Sequence, residues 1–425
     1  MKKWIAVLSV LLVLCTLLSA CTEPQTPVNT ATTAEETDPV TQPPEEPRTL
    51  KIGGVDISKF EIIYGVNAKK KEMSEAGRTM MKEYWKTEFD AELQTANRLA
   101  EIIKTNFGVE LSVAADTSVK TPGEYEILVG ATNRTESTTA VTAKKLALDD
   151  YEIKMYGTKL VVRGGATGSM YHALDALETE FAKTVENNAY TLTAETPITG
   201  SYHLTRIATI GDSITDGYNA DPDRKVFSYV PTVARMYWQE SVVYNYGLTS
   251  TTMRSDLADS YQKSQQWKDL LANTEKYDVV LIMLGTNDSN RVWKNAGKPT
   301  NNDGNWGTAD DTAYKTSARE IIDRVKQHSP NAKFVIMNCP VYYGTAHFGT
   351  AKVRELQKQV VTELKAANYD IHLFDMYSYT SINLTREMLP DALHPDDAGH
   401  YNMAIGVTEM LKTLKAGKTN RYLLN

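Results

Sequence analysis

Between residues 205 and 416, short apolar runs alternate with helix-length stretches on a regular beat, and this alternation limits the fold more than any other feature of the chain. The runs are Ile207–Ile210, Val242–Asn245, Val279–Leu284, Phe334–Asn338 and Ile371–Phe374. Helical periodicity lies between and after them, at Phe227–Tyr237, Gln262–Ala272, Ala313–His328, Ala351–Ala367 and Asp396–Leu414. Runs that are apolar throughout, rather than at every second residue, must be covered on both faces. A parallel sheet with a helix layer on each side meets that condition.

The expected fold class is therefore α/β. Residues 201–425 should form a three-layer α/β/α sandwich around a five-stranded parallel sheet of flavodoxin-like order. Such sheets place their sites beyond the C-terminal strand ends. Residues 50–200 read as a smaller, mixed α+β accessory domain. Strands are expected at Phe60–Tyr64, Glu110–Ala114, Tyr125–Val129, Tyr151–Met155 and Lys159–Val162, with helices over Tyr84–Thr105 and Gly168–Lys183. Tyr156-Gly157-Thr158 joins the last two strands as a hairpin signal. The pattern of Glu92-Leu93-Gln94, Glu126 to Arg134 and the hairpin resembles the non-catalytic N-terminal domains attached to some glycan-processing enzymes.

The N-terminus carries Lys2 and Lys3, an uncharged apolar run from Trp4 to Leu18, and then Ser19-Ala20-Cys21. A run this short, ending in small residues, reads as a signal peptide rather than a membrane span. Leu18-Ser19-Ala20-Cys21 resembles the bacterial lipobox. The resemblance implies removal of residues 1–20, lipidation of Cys21 and an extracytoplasmic protein anchored to the cell membrane. Residues 21–49 are rich in Thr, Pro and Glu and bury too little to offset ordering entropy, so a disordered tether is expected there. Formal net charge is −7 with both signs interspersed, which argues against a nucleic-acid surface. Of three cysteines, Cys15 would leave with the signal and Cys21 would carry lipid. Cys339, in an apolar run, is expected as a small core residue.

Four segments follow the strands. Gly211-Asp212-Ser213-Ile214-Thr215-Asp216-Gly217 ends the first, Asn245-Tyr246-Gly247 the second and Gly285-Thr286-Asn287-Asp288 the third; Asp391-Ala392-Leu393-His394-Pro395 comes after the fifth. Each alone is ordinary, since Ser and Asp cap helices and Gly-Thr-Asn-Asp makes turns. Together, in this order, they resemble blocks I, II, III and V of the SGNH/GDSL hydrolases, over about half the chain. The resemblance implies a serine esterase with Ser213, Gly247, Asn287 and His394 in the four eponymous roles and Asp391 completing the triad. The chemistry suits those residue types. A serine hydroxyl needs a base to become a nucleophile, and an imidazole needs a carboxylate on its other nitrogen to hold its tautomer. The oxyanion needs donors fixed before reaction: the Ser213 and Gly247 backbone N–H groups and the Asn287 amide. No metal or cofactor is required. Gly211-Asp212-Ser213 lacks the glycine spacing of the Gly-x-Ser-x-Gly elbow, which argues against an α/β-hydrolase.

His203, His328 and His372 lack a serine–acid partner pattern, and His172 reads as a packed or exposed helix residue. His400, after Asp396 and Asp397, reads as an exposed helix residue rather than a metal ligand, and Asp375 reads as a cap or turn residue, with a supporting site role as the alternative. The stretches Ser289–Asp310 and Pro340–Phe348 read as long aromatic loops at the strand ends. Expected substrate contacts are Asp212, Trp293, Trp306, Tyr342 and Tyr343, because aromatic faces beside amides suit a sugar ring. An O-acetyl ester on a carbohydrate is the favoured substrate. A lipid ester or thioester, or glycan binding without turnover, remains open, as does the oligomeric state.

Overall fold

The computed structural model describes residues 48–66, 90–183, 188–220, 224–295, 307–344, 349–418 and 420–424. The expected signal peptide, Cys21, nearly all of the tether, the start of the helix expected at Tyr84, and Trp306 lie outside these residues. Among the described residues no helix is long and apolar enough to cross a membrane.

Among the described residues, nine strands precede residue 202: β1 (Thr49–Ile52), β2 (Val55–Asp56), β3 (Glu61–Tyr64), β4 (Val113–Ala115), β5 (Glu126–Val129), β6 (Asp150–Tyr156), β7 (Lys159–Gly164), β8 (Ala189–Leu192) and β9 (Ile198–Ser201). They form a three-stranded sheet, β2-β1-β8, and a six-stranded sheet, β4-β3-β5-β7-β6-β9. The larger is parallel from β4 to β7 and antiparallel at β6 and β9, the β6–β7 pair turning through Gly157 at φ 63°. The helices Ala91–Phe107 and Thr167–Phe181 pack their apolar stripes on it: Leu99, Ile103, Met170, Leu174 and Leu177 join Ile62, Ile127, Val129 and Val162 in one core.

The second sheet contains β10 (Thr205–Gly211), β11 (Ser241–Gly247), β12 (Val279–Met283), β13 (Lys333–Met337), β14 (Ile371–Phe374) and β15 (Leu423–Leu424), in the order β11-β10-β12-β13-β14-β15. The first five are parallel in the expected flavodoxin-like order. The sheet has six strands rather than five, because β15 adds antiparallel to β14. Two leucines are too short a run to announce a strand.

Strand alternation divides the apolar residues between two cores. Ala208, Ile210, Val280, Ile282, Phe334 and Ile336 face the helices Thr308–His328 and Thr350–Ala366. Ile207, Leu281, Val335, Met337 and Phe374 face Tyr229–Met236 and Asp397–Lys415. Both faces are thus buried, which is why these strands read as unbroken apolar runs. Cys339 lies in the first core, 1% exposed, and burial pushes its thiol up to about 12.

Residues 202–204 separate β9 from β10. The Asp149 carboxylate accepts the Leu204 N–H at 2.9 Å and the Arg206 guanidinium, whose Nε reaches Glu275 at 3.1 Å. His172 stacks on Tyr202 with centroids 3.5 Å apart and reaches the Gln239 carbonyl at 3.1 Å, so it is a packing residue.

Candidate active site

The site is assembled at the C-terminal ends of β10, β11 and β12. After β10, Asp212 caps the one-turn helix Ser213–Asp216, its Oδ1 accepting the Ile214 N–H at 3.1 Å. Gly217, at φ 94°, ends the turn. Ser213 therefore occupies the first helical position, where a backbone N–H has no intrahelical acceptor, and none of the described residues accepts it. Asp212 was expected to touch substrate, but it is 1% exposed and its Oδ2 has no hydrogen-bond partner among the described residues. Capping the turn draws its carboxyl inward. Burial, with the nearby Asp288 charge adding, pushes Asp212 up to about 7.

The Ser213 hydroxyl donates to His394 Nε2 at 2.7 Å, and His394 Nδ1 donates to Asp391 Oδ2 at 2.6 Å. Asp391 Oδ1 accepts the backbone N–H groups of Leu393 at 3.0 Å and His394 at 2.7 Å. One side chain thus closes a turn and orients the ring that the turn carries, with Ala392 between them at φ 70°. Burial raises the Asp391 carboxyl, but the His394 and Leu393 donors outweigh it and hold the group below the usual range. Tyr343 N–H donates to the Ala392 carbonyl at 3.0 Å, which fixes this loop against the stretch after β13. Tyr343 is exposed there, whereas Tyr342 is half-buried and folded back over Gly344.

Asn287 stands in the first turn of the helix Thr286–Asn295, where the helix dipole is positive. One Nδ2 hydrogen bonds the Thr251 carbonyl at 3.0 Å, leaving the second for a ligand. The same helix changes the reading of Ser289–Asp310: that stretch is no continuous loop, because its first seven residues belong to the ten-residue helix Thr286–Asn295 and another helix starts at Thr308. Trp293 is on the first of these helices, its side chain outside the described set.

Gly247 behaves differently from expectation. Its N–H donates to its own strand's Asn245 Oδ1 at 2.9 Å and is not free for substrate. The absence of a Cβ serves packing instead: a Cβ would lie 2.4 Å from the Asp216 nitrogen and 2.6 Å from the Thr215 carbonyl carbon. We expect Gly247→Ala to cost about 1–3 kcal/mol as the Ser213 turn is forced away, read as a lower melting temperature. An alanine variant as stable as the parent would show that the turn yields without cost.

The sequence reading missed Ser250. It has φ 68°, unusual for a residue other than glycine, in a turn closed by Thr251 N–H on the Leu248 carbonyl. No described residue accepts its N–H. The turn is tied to the helix Ser213–Asp216 by Thr249 Oγ1 on Asp216 at 2.6 Å, and to Asn287 through Thr251. Just beyond, the buried Asp288 carboxylate accepts the Met253 and Arg254 N–H groups at 2.8 and 3.0 Å. Burial pushes Asp288 up to about 6.

His400, expected on an exposed helix face, is 0% exposed. It lies in the first turns of Asp397–Lys415, the helix packed on Tyr229–Met236, and burial pushes it down to about 4. The neutral ring donates from Nε2 to the Tyr218 carbonyl at 3.3 Å and accepts the Tyr229 N–H on Nδ1 at 3.4 Å. Asp375 caps the helix Met376–Asn383 through Ser378. Among the described residues no group of three His, Cys, Asp or Glu side chains is arranged to hold a metal ion.

A β-strand ending in a serine-bearing turn, with an asparagine beyond a later strand and a histidine on the loop before the last helix, gives an α/β/α site of hydrolase type. The model of the GDSL-like lipase/acylhydrolase family matches residues 209–401, in the C-terminal half of the chain. An acetylxylan esterase of Xylanibacter ruminicola is 27% identical over 227 residues, which cover 49% of this chain and 43% of that protein. The chain thus spans less than half the length of this curated relative. Among solved structures, a family two carbohydrate esterase from Clostridium thermocellum in complex with cellohexaose is 19% identical, with a TM-score of 0.37, over 51% of this chain and 67% of that one. Axe2, an acetylxylan esterase from Geobacillus stearothermophilus, is 21% identical with a TM-score of 0.35, over 48% of this chain and 93% of that one.

Proposed function

We propose that the chain is a serine esterase that removes O-acetyl groups from a carbohydrate. The observation that carries this reading is the unbroken relay from the Ser213 hydroxyl through His394 to Asp391, at 2.7 and 2.6 Å. Ser213 Oγ attacks the ester carbonyl carbon as its proton passes to His394 Nε2, and the Asp391 carboxylate stabilises the resulting imidazolium. The carbonyl oxygen becomes an oxyanion, held by three donors that have no other acceptor among the described residues: the N–H groups of Ser213 and Ser250 and the second hydrogen of the Asn287 amide. In this role Ser250 takes the place expected of Gly247. Collapse expels the alcohol, protonated by His394. Water then attacks the acyl-serine by the same route, releasing the acid and restoring Ser213.

Two features favour a sugar over a lipid. The domain's curated relative is an acetylxylan esterase. Among the described residues near His394, the exposed large apolar side chains are tyrosines, Tyr218 and Tyr343, rather than leucines or phenylalanines. Tyrosine offers both a C–H-binding face and a hydroxyl, as a pyranose requires. The Leu-Ser-Ala-Cys tetrad supports lipidation at Cys21 and a place on the outer face of the cell membrane.

Acetate release from acetylated xylooligosaccharide should exceed cleavage of a hexadecanoyl ester, compared as kcat/KM, by about 100-fold or more. The opposite preference would move the substrate to lipid.

A further inference from the structure

Tyr218 lies five residues after the nucleophile and is 43% exposed, although both its backbone groups are fixed. Its N–H donates to the Ser213 carbonyl at 2.8 Å. Its carbonyl accepts His400 Nε2, from a residue with no exposed surface. Its ring stands against His394, with centroids 4.6 Å apart and planes inclined at 54°. Its hydroxyl makes no hydrogen bond to any described residue.

The other exposed tyrosines of this half are already engaged. Arg354 covers one face of Tyr377 at 3.8 Å, and the Tyr343 hydroxyl reaches the Leu384 carbonyl at 3.4 Å. Tyr218 is thus the described aromatic whose ring meets the catalytic imidazole while a large part remains open to solvent.

Reaction geometry says what that open ring faces. To protonate the departing alcohol, His394 Nε2 must come within about 3 Å of the leaving oxygen. An aromatic ring in contact with that imidazole lies within van der Waals reach of the first atoms beyond the leaving oxygen. We propose that Tyr218 is the specificity-determining residue on the alcohol side, its ring forming the platform on which the sugar bearing the ester lies. This rests on the carbohydrate-ester reading above. A pyranose lays its C–H face on the ring, while its hydroxyls remain at the rim beside the phenol. The buried His400 acts through the backbone as a positioning residue that keeps the platform beside His394.

The test compares two substrates with the same acyl group: acetylated xylooligosaccharide, and ethyl acetate, whose alcohol has no ring to stack. For Tyr218→Leu we expect kcat/KM on the sugar ester to fall at least about 10-fold further than on ethyl acetate, the scale of one stacked ring. Tyr218→Phe keeps the ring and should stay within about 3-fold of the parent in the ratio of the two substrates. Equal losses on both substrates in Tyr218→Leu would make the residue a support for His394 and overturn the platform, as would no loss on either. Tyr218→Phe losing the preference as fully as Tyr218→Leu would overturn it too. Failure of the underlying reading looks different: the parent itself would cleave ethyl acetate but release nothing from the sugar ester, and the platform would fall with it.

Discussion

Ser213→Ala is expected to lower hydrolysis of a small acetyl ester by about 10⁵–10⁶-fold, the loss typical when a serine hydrolase is deprived of its nucleophile. The fold should be unaffected, because the Ser213 hydroxyl makes one hydrogen bond, to His394, and the turn is held by Asp212, Gly217 and backbone contacts that alanine keeps. A single-turnover assay with a chromogenic ester, paired with a thermal melt of the same preparation, separates the two effects. The parent should also accept a fluorophosphonate label at this position and the variant should not. Activity comparable with the parent's would remove Ser213 from the chemistry.

Asp391→Asn should cost about 10⁴-fold in kcat, the scale of an imidazole held in the wrong tautomer. Asparagine is nearly isosteric, and its oxygen can still accept the Leu393 and His394 N–H groups that close the turn. Its amide nitrogen, however, then faces His394 Nδ1. The ring answers by accepting there and carrying its proton on Nε2, where it can no longer take the Ser213 hydrogen. The loss should therefore appear in kcat, with a melting temperature close to the parent's. Asp391→Asn at parental rates would show that the carboxylate is not what orients His394. Because its donors hold Asp391 below the usual carboxylate range, it stays ionised throughout a neutral-pH assay.

Where the sequence was legible, the reason is locality or repetition. The three-layer arrangement follows from apolar runs that must be buried on both faces, and alternation along Ala208, Thr209 and Ile210 turns neighbouring side chains to opposite faces. The pairing of Asp391 with His394 came with the family resemblance, and the three-residue spacing suits it because one turn can deliver both groups. The long-range partner of that pair, Ser213, could be named only because four segments occurred in one order.

What stayed hidden depended on geometry that residue type does not carry. Serine at position 250 looks like any polar turn residue, and a positive φ leaves no mark in the letters. Gly247 looked like a donor because glycine permits close approach; the partner in that approach is the nucleophile helix, and the N–H is already used by Asn245. His400 sits among Asp396, Asp397 and Asn402, a polar neighbourhood that suggests solvent, yet its own face of the helix turns toward Tyr218 and Tyr229. A polar segment such as Thr286–Asn295 resembles a loop until the helix that its first turn starts is seen.

The short join between β9 and β10 bears on the whole molecule. Three residues, clamped by the Asp149–Arg206 contact, separate the end of one sheet from the strand that leads to Ser213. Such a join works as the fixed jaw of a caliper. Residues 202–204 leave little slack between β9 and β10, so the start of the strand that ends beside Ser213 is held by the sheet before it.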